Sequence, residues 1–271
     1  GHIDFAAEVD RSLSILDGVI LVVSAKEGIQ AHTLNLWESL IERKLPVIIF
    51  FNKIDRDGVD VEQVFLDFQK ELGVQLFALN YPDLSNQYNP QLIPFTNCDK
   101  HIDSPIIDKS MENLTECDEA FLDQYLEGET TDLEQILEKG KQNLKTGALY
   151  GALFGSAKLD LGIADLLNSI STLFPQSTDD YSSVSAKVFK VSFDEKKGRL
   201  AYIKSYGGIL KSKDTIRSLQ LDKDIKVNQI FKPHLGDLVQ SAELHPGEIG
   251  VITTSDIILS GDILGTEDLT D

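Results

Sequence analysis

Val47-Ile48-Ile49-Phe50-Phe51-Asn52-Lys53-Ile54-Asp55 is the stretch that decides the fold. Its unbroken run of β-branched and aromatic residues suits a parallel strand buried on both faces. Asn-Lys-x-Asp then follows at the carboxyl end of that strand, which is where open α/β sheets bind their ligands. Upstream, Leu16-Asp17-Gly18-Val19-Ile20-Leu21-Val22-Val23 reads as a second strand of the same kind. Between the two, Leu34, Trp37, Leu40 and Ile41 recur at helical spacing over about 30–44, with Trp37 on the apolar face as a core residue. Strand, helix, strand is a βαβ unit and predicts a doubly wound sheet.

Downstream, Val61, Val64, Phe65, Phe68 and Leu72 mark an amphipathic helix. The stretch 74–148 is less regular and acidic, with helical patterns near 116–126 and 132–145. It reads as an insertion that separates two elements of the parent sheet. A further strand is expected over 149–154, running into Gly155-Ser156-Ala157-Lys158, and a helix over 162–173. Residues 175–183, Pro-Gln-Ser-Thr-Asp-Asp-Tyr-Ser-Ser, have the composition of a linker. Beyond them the periodicity shortens. Strands are expected at 184–193, 200–206, 226–231 and 249–253, divided by the turn signals Lys196-Lys197-Gly198, Gly207-Gly208 and Pro246-Gly247. Short strands at this spacing suggest a small antiparallel barrel. The expected organisation is an α/β domain over 1–174, a linker over 175–183 and a β-barrel over 184–271.

Composition agrees with two soluble domains. The 271 residues are enough for two cores, and 42% hydrophobic with 25% charged residues is ordinary for a globular chain. No apolar run approaches the roughly 20 residues a bilayer span requires. Cys98 and Cys117 lie far apart and form no metal or redox motif, as in a reduced, cytoplasmic protein. His32, His101, His234 and His245 show no ligand spacing, and no metal-ligating set is read anywhere. Residues 184–271 hold 12 Lys+Arg against 13 Asp+Glu, so nearly all of the net charge of −19 lies before them. The stretch 59–148 alone has 6 Lys against 18 acids. Such a chain has no broad basic field for nucleic acid, DNA included, so any RNA contact must be local or shape-led.

The two strand-end motifs point to guanine. An aspartate such as Asp55 can accept hydrogen bonds from guanine's ring N–H and its exocyclic amine, a donor pair that adenine lacks. Asn52 can bond the base or tie loops together, and the stem of Lys53 can cover the base face. Ser156-Ala157-Lys158 follows another apolar strand, where a backbone N–H can reach the guanine carbonyl. Each motif alone is also an ordinary turn. Their order and their placement on strands make the pair specific.

These residues resemble the GTPase family. The sequence Gly1-His2-Ile3-Asp4-Phe5 looks like the tail of the Asp-x-Pro-Gly-His-x-Asp-Phe motif of translational GTPases. Leu16-Asp17-Gly18-Val19, Glu27-Gly28-Ile29-Gln30 and Asn52-Lys53-Ile54-Asp55-Arg56 are similar to elongation factor G. Ser24 to Ala31, Tyr150-Gly151-Ala152-Leu153-Phe154-Gly155-Ser156-Ala157-Lys158 and Arg199-Leu200-Ala201-Tyr202-Ile203 resemble the tetracycline-resistance ribosomal protection proteins. Tyr206-Gly207-Gly208-Ile209-Leu210, Pro246-Gly247-Glu248-Ile249-Gly250 and Gly261-Asp262-Ile263-Leu264-Gly265 match the family's second domain, where glycine serves turn geometry.

The resemblance implies an incomplete P-loop-type GTPase domain followed by a translation-factor barrel. It implies GTP or GDP with magnesium as cofactors, the ribosome, RNA and protein, as partner, and a cytoplasmic setting without membrane contact. It also implies release of tetracycline from the ribosome coupled to GTP hydrolysis. By the same resemblance, His2 would orient the attacking water. Gly-His is also what tag removal leaves behind, although Ile3-Asp4-Phe5 continues the family pattern without a break. No Gly-x-x-x-x-Gly-Lys-Ser/Thr occurs in the 271 residues. That loop supplies the phosphate donors, so the chain reads as a piece of the family's GTPase that is inactive alone. Translocation of the elongation factor G kind, and a non-catalytic interaction module, are the competing readings.

Overall fold

The computed structural model describes residues 6–83, 91–95, 104–126, 132–174 and 183–265. His2, Cys98 and almost all of the 175–183 linker therefore lie outside the described residues. The chain divides into two compact units. One is Asp17–Pro175, and the other is Gln176–Asp271 together with the stretch that ends at Leu16.

The described part of that opening stretch holds helix α1 (Ala6–Leu13). The first unit then runs β1 (Val19–Ser24), α2 (Ala31–Glu42), β2 (Val47–Asn52), α3 (Val61–Leu72), β3 (Leu76–Ala78), β4 (Asn80–Asp83), β5 (Gln91–Pro94), α4 (Pro105–Cys117), α5 (Glu119–Leu126), α6 (Leu133–Thr146), β6 (Tyr150–Phe154) and α7 (Ile163–Leu173). Its main sheet is wholly parallel, in the order β1-β2-β6-β3. All five residues from Val47 to Phe51 are buried, as the apolar run requires. Phe51 stacks on Phe154 of the neighbouring strand at 5.3 Å and meets Phe68 of α3 edge-on at 5.4 Å. Trp37 is buried against Phe68 and Tyr150 and is a core residue.

Helix boundaries follow local chemistry. Asp60 caps α3 by accepting from the Gln63 amide at 3.0 Å, and Gly73 ends the helix in the left-handed region. Asp132 and Gly147 do the same for α6.

The insertion expected over 74–148 needs correcting at its start, because β3 is itself the outer strand of the main sheet. Three residues are too few to carry a period-two signal. Its open edge is covered by side chains instead of another strand. The Leu76 amide donates to Gln69 Oε1 at 3.1 Å, and its carbonyl accepts from Asn113 Nδ2 at 2.7 Å. The Ala78 amide donates to Ser110 Oγ at 3.1 Å. Ser110 and Asn113 lie on α4, so that helix blocks the edge from further pairing.

The second unit contains β7 (Ser185–Asp194), β8 (Gly198–Gly207), β9 (Leu210–Lys211), β10 (Thr215–Ser218), β11 (Lys223–Lys226), β12 (Gln229–His234), β13 (Asp237–Ser241), β14 (Glu243–Leu244), β15 (Ile249–Thr253) and β16 (Ile263–Gly265). Eight of these form one antiparallel sheet, β11-β10-β16-β7-β8-β15-β12-β13, with β9 and β14 paired separately. Laid flat, eight strands would separate the two edges by roughly 30 Å. Instead Ile225 of β11 and Ile230 of β12 share one buried cluster with Val188, Ile203, Ile252 and Leu264. The sheet curls around that cluster as a barrel. The expected strand at 226–231 is two strands, broken where the Val227 amide bonds Asp214 O at 2.9 Å.

Sequence reading places residues 1–16 with the α/β domain, whereas their described part groups with the barrel. Lys204 of β8 is only 2% exposed and donates to the Ile15 carbonyl at 2.9 Å. Its Nζ also lies 5.6 Å from the centre of the Tyr206 ring. Leu13 and Ile15 are buried.

Candidate functional site

Strands β2 and β6 are direct neighbours, with Phe51 opposite Phe154, so their carboxyl ends deliver two loops side by side. Those loops are fastened to each other. The Gly155 amide donates to Phe51 O at 3.0 Å, and the Ile54 amide donates to Gly155 O at 3.3 Å. Asn52 Oδ1 accepts from its neighbour's amide, Lys53, at 2.8 Å and from the Ala157 amide across the gap at 3.0 Å. Asp55 is thus one residue removed from a backbone bond to the facing loop, and it is half-buried. Lys53 takes φ +66°, a left-handed conformation unusual for a side-chain-bearing residue and consistent with a tightly tied turn.

The second loop is shaped by close backbone approach. A Cβ on Gly155 would lie 2.4 Å from Leu161 O, and one on Gly162 would lie 2.5 Å from Phe154 O. Ser156 and Leu161 exchange two backbone bonds of 3.0 Å each, closing the turn, while Ala157 and Lys158 are exposed at its tip. Ser156 is buried, and its hydroxyl has no partner among the described residues.

Two contributors were not legible beforehand. Asn80 begins β4 where β3 has ended. Its side chain accepts from the Phe154 amide at 2.8 Å and donates to Phe154 O at 3.2 Å and to Asp165 at 2.9 Å. The buried amide therefore completes the edge of β6 at the residue that launches the 155–158 loop. The second is the loop after β1. The Ala25 amide bonds Asn52 O at 2.8 Å, and Lys26 Nζ bonds Asp57 O at 2.7 Å. Glu27 pairs with Lys53 Nζ at 3.2 Å.

All six candidate residues among those described, Asn52, Lys53, Asp55, Ser156, Ala157 and Lys158, thus come together at one sheet edge. The backbone donor expected of this loop narrows to one residue. The Ala157 N–H is already taken by Asn52, and it is the Lys158 N–H that makes no hydrogen bond among the described residues. The arrangement can offer a carboxylate acceptor and a backbone donor to a flat heterocycle. Among the described residues no group of three His, Cys, Asp or Glu comes together as a metal site would need.

The family described as the elongation factor Tu GTP binding domain matches residues 1–176. The tetracycline resistance protein TetP of Clostridium perfringens is 35% identical over 98% of this chain and 40% of its own length. The TetO protein of Campylobacter jejuni is 34% identical over the same shares. The chain thus spans about two fifths of the length of these relatives. A crystal structure from Thermus thermophilus superposes with a TM-score of 0.79 at 24% identity, over 100% of this chain and 44% of that one, and so shares the fold. With a matching family over most of the chain and both strand-end motifs at one edge, the protein belongs to the elongation factor Tu GTP binding domain family, that of the translational GTPases.

Proposed function

We propose that the paired loops at Asn52–Asp55 and Ser156–Lys158 recognise the guanine base of GTP and GDP. Asp55 accepts from the ring N–H and the exocyclic amine, the Lys158 N–H donates to the ring carbonyl, and the Lys53 stem walls the base. Asn52 keeps the two loops at the distance of one base. The observation that carries this reading is its bridge, through Oδ1, between the Lys53 and Ala157 amides.

The residues present fit guanine. The 271 residues hold no Gly-x-x-x-x-Gly-Lys-Ser/Thr loop, so no step through metal or phosphate is assigned to them. A few hydrogen bonds at about 1 kcal/mol net each fall short of the roughly 8 kcal/mol that micromolar binding needs. The chain alone therefore reads the base weakly and does not turn over GTP. His2, outside the described residues, is the proposed water-orienting group.

The relatives' names carry tetracycline resistance, and the chain is similar to them along nearly all its length. Its role in a complete protein is accordingly proposed as a ribosome-bound GTPase of the cytoplasm that frees the ribosome from tetracycline. Calorimetry with guanosine and adenosine tests the base site: guanosine should bind near millimolar and adenosine not measurably. Equal binding of the two nucleosides, or micromolar GTP affinity, would contradict the reading.

A further inference from the structure

The 25–28 loop touches the proposed guanine loop at three points and lies about as far upstream in sequence as a full βαβ unit allows. The Ala25 amide holds the Asn52 carbonyl at 2.8 Å. Both Glu27 carboxylate oxygens lie against Lys53 Nζ, at 3.2 and 3.3 Å. Lys26 reaches past them, donating to the Asp57 carbonyl at 2.7 Å. Gly58 follows at φ +72°, and the nearest atom to a Cβ there would be that same Lys26 Nζ at 3.4 Å. The two side chains therefore grip the turn at residues 53 and 57, and Asp55 lies between the grips.

We infer that Lys26 and Glu27 are positioning residues for base selectivity, fixing the turn so that Asp55 meets both donors of guanine rather than one. The inference rests on the guanine reading above. The Glu27–Lys53 pair is half-exposed, at 50% and 43%, and an exposed ion pair does little for global stability. Its effect is local. A loop held at both ends loses fewer conformations when it binds, and a two-donor contact demands tighter placement than a one-donor contact. The ion pair also holds the Lys53 ammonium against the 25–28 loop. Because it is half-exposed, salt should weaken it.

Guanosine and inosine differ by the exocyclic amine alone, so their affinity ratio reads the second contact to Asp55. The experiment titrates both nucleosides, with adenosine as control, into the isotope-labelled chain and into its Glu27→Gln, Glu27→Asp and Lys26→Met variants. Glu27→Gln and Lys26→Met should each lower the guanosine-to-inosine ratio by about threefold to fivefold, the size of a weak pair's contribution. Glu27→Asp should retain more of it. Added salt should lower the ratio in the parent chain and leave it unchanged in Glu27→Gln. A general loss of fold would weaken both nucleosides alike and leave the ratio alone. If the parent discriminates and both variants keep its ratio, the inference is overturned while the guanine site stands. If the parent chain does not prefer guanosine, the guanine reading and this inference both go.

Discussion

The α/β unit and the barrel both bury polar side chains, but they put them to different ends. In the barrel, Asp262 is fully buried, accepts from Ser218 Oγ at 2.6 Å and from the Gln220 amide at 3.2 Å, and so ties a turn back to β16. Buried Lys204 fastens the residues ahead of Asp17 to the outside of the barrel. Every one of those bonds closes something structural. In the α/β unit the polar fasteners Asn80 and Asn52 lie at the carboxyl ends of parallel strands, and the chain beyond them keeps an unspent donor at Lys158 and an acceptor at Asp55. A buried polar group that completes a fold and one that presents a site look alike in composition. What separates them is whether the backbone they secure has groups left over at an open edge.

The contrast can be broken first at Asn80. Asn80→Ala would strand the amide and carbonyl of Phe154 in the core, a cost of about 2–4 kcal/mol from two buried backbone groups. The α/β unit should melt earlier while the barrel transition stays in place. Coincident shifts of both transitions would contradict the independence of the two fastening systems. Next comes Lys204→Met, which keeps the volume and removes the donor to Ile15, for about 1–3 kcal/mol. Here the barrel side should suffer, with hydrogen exchange accelerating across α1 and the loops at 52–55 and 155–158 unaffected. Unchanged exchange in α1 would mean that packing by Leu13 and Ile15 holds the segment without the lysine.

The smallest effect is a pH dependence in the β7–β8 turn. Asp194 Oδ1 accepts from the Lys197 amide at 2.8 Å and the Lys196 amide at 2.9 Å. Those backbone bonds, Lys197's first, hold its pKa below the ordinary carboxylate value. A depressed folded-state pKa contributes stability above the ordinary range and loses it as pH falls through the lowered value. Asp194→Ala should therefore be less stable than the parent at neutral pH and indistinguishable from it in strong acid. A difference that persists undiminished in acid would assign the effect to turn geometry rather than charge.

Much of this was legible in the residues. Runs such as Val47–Phe51 and the apolar stretch before Gly155 have one good solution, a buried parallel strand, and their terminal motifs then share an edge. The barrel strands at 200–206 and 249–253 announced themselves as short runs divided by glycine turns. Strand β3 did not, since three residues carry no period. Helix α4 did not either, because Ser110 and Asn113 on its inner face exist to satisfy β3 and look polar in sequence. Asn80, Lys26 and Glu27 were illegible for a common reason. Their partners lie 74, 31 and 26 residues away, and no local pattern encodes a contact of that kind. Lys204 reaches Ile15, just beyond α1, across a separation of 189 residues.

The most direct test of the central claim is an amide map of guanosine binding on the parent chain and on Asp55→Ala. The account predicts that guanosine shifts the Lys158 amide most strongly, as a new hydrogen bond forms there. Ala157 should move little, because its N–H stays with Asn52. Adenosine should leave both where they are. In Asp55→Ala the guanosine response should fall at least tenfold in affinity, since a hydrogen bond to a charged acceptor is worth about 1.5–3 kcal/mol. A guanosine response that spares residues 155–158, or one that survives intact without the Asp55 carboxylate, would show that these loops do not read the base.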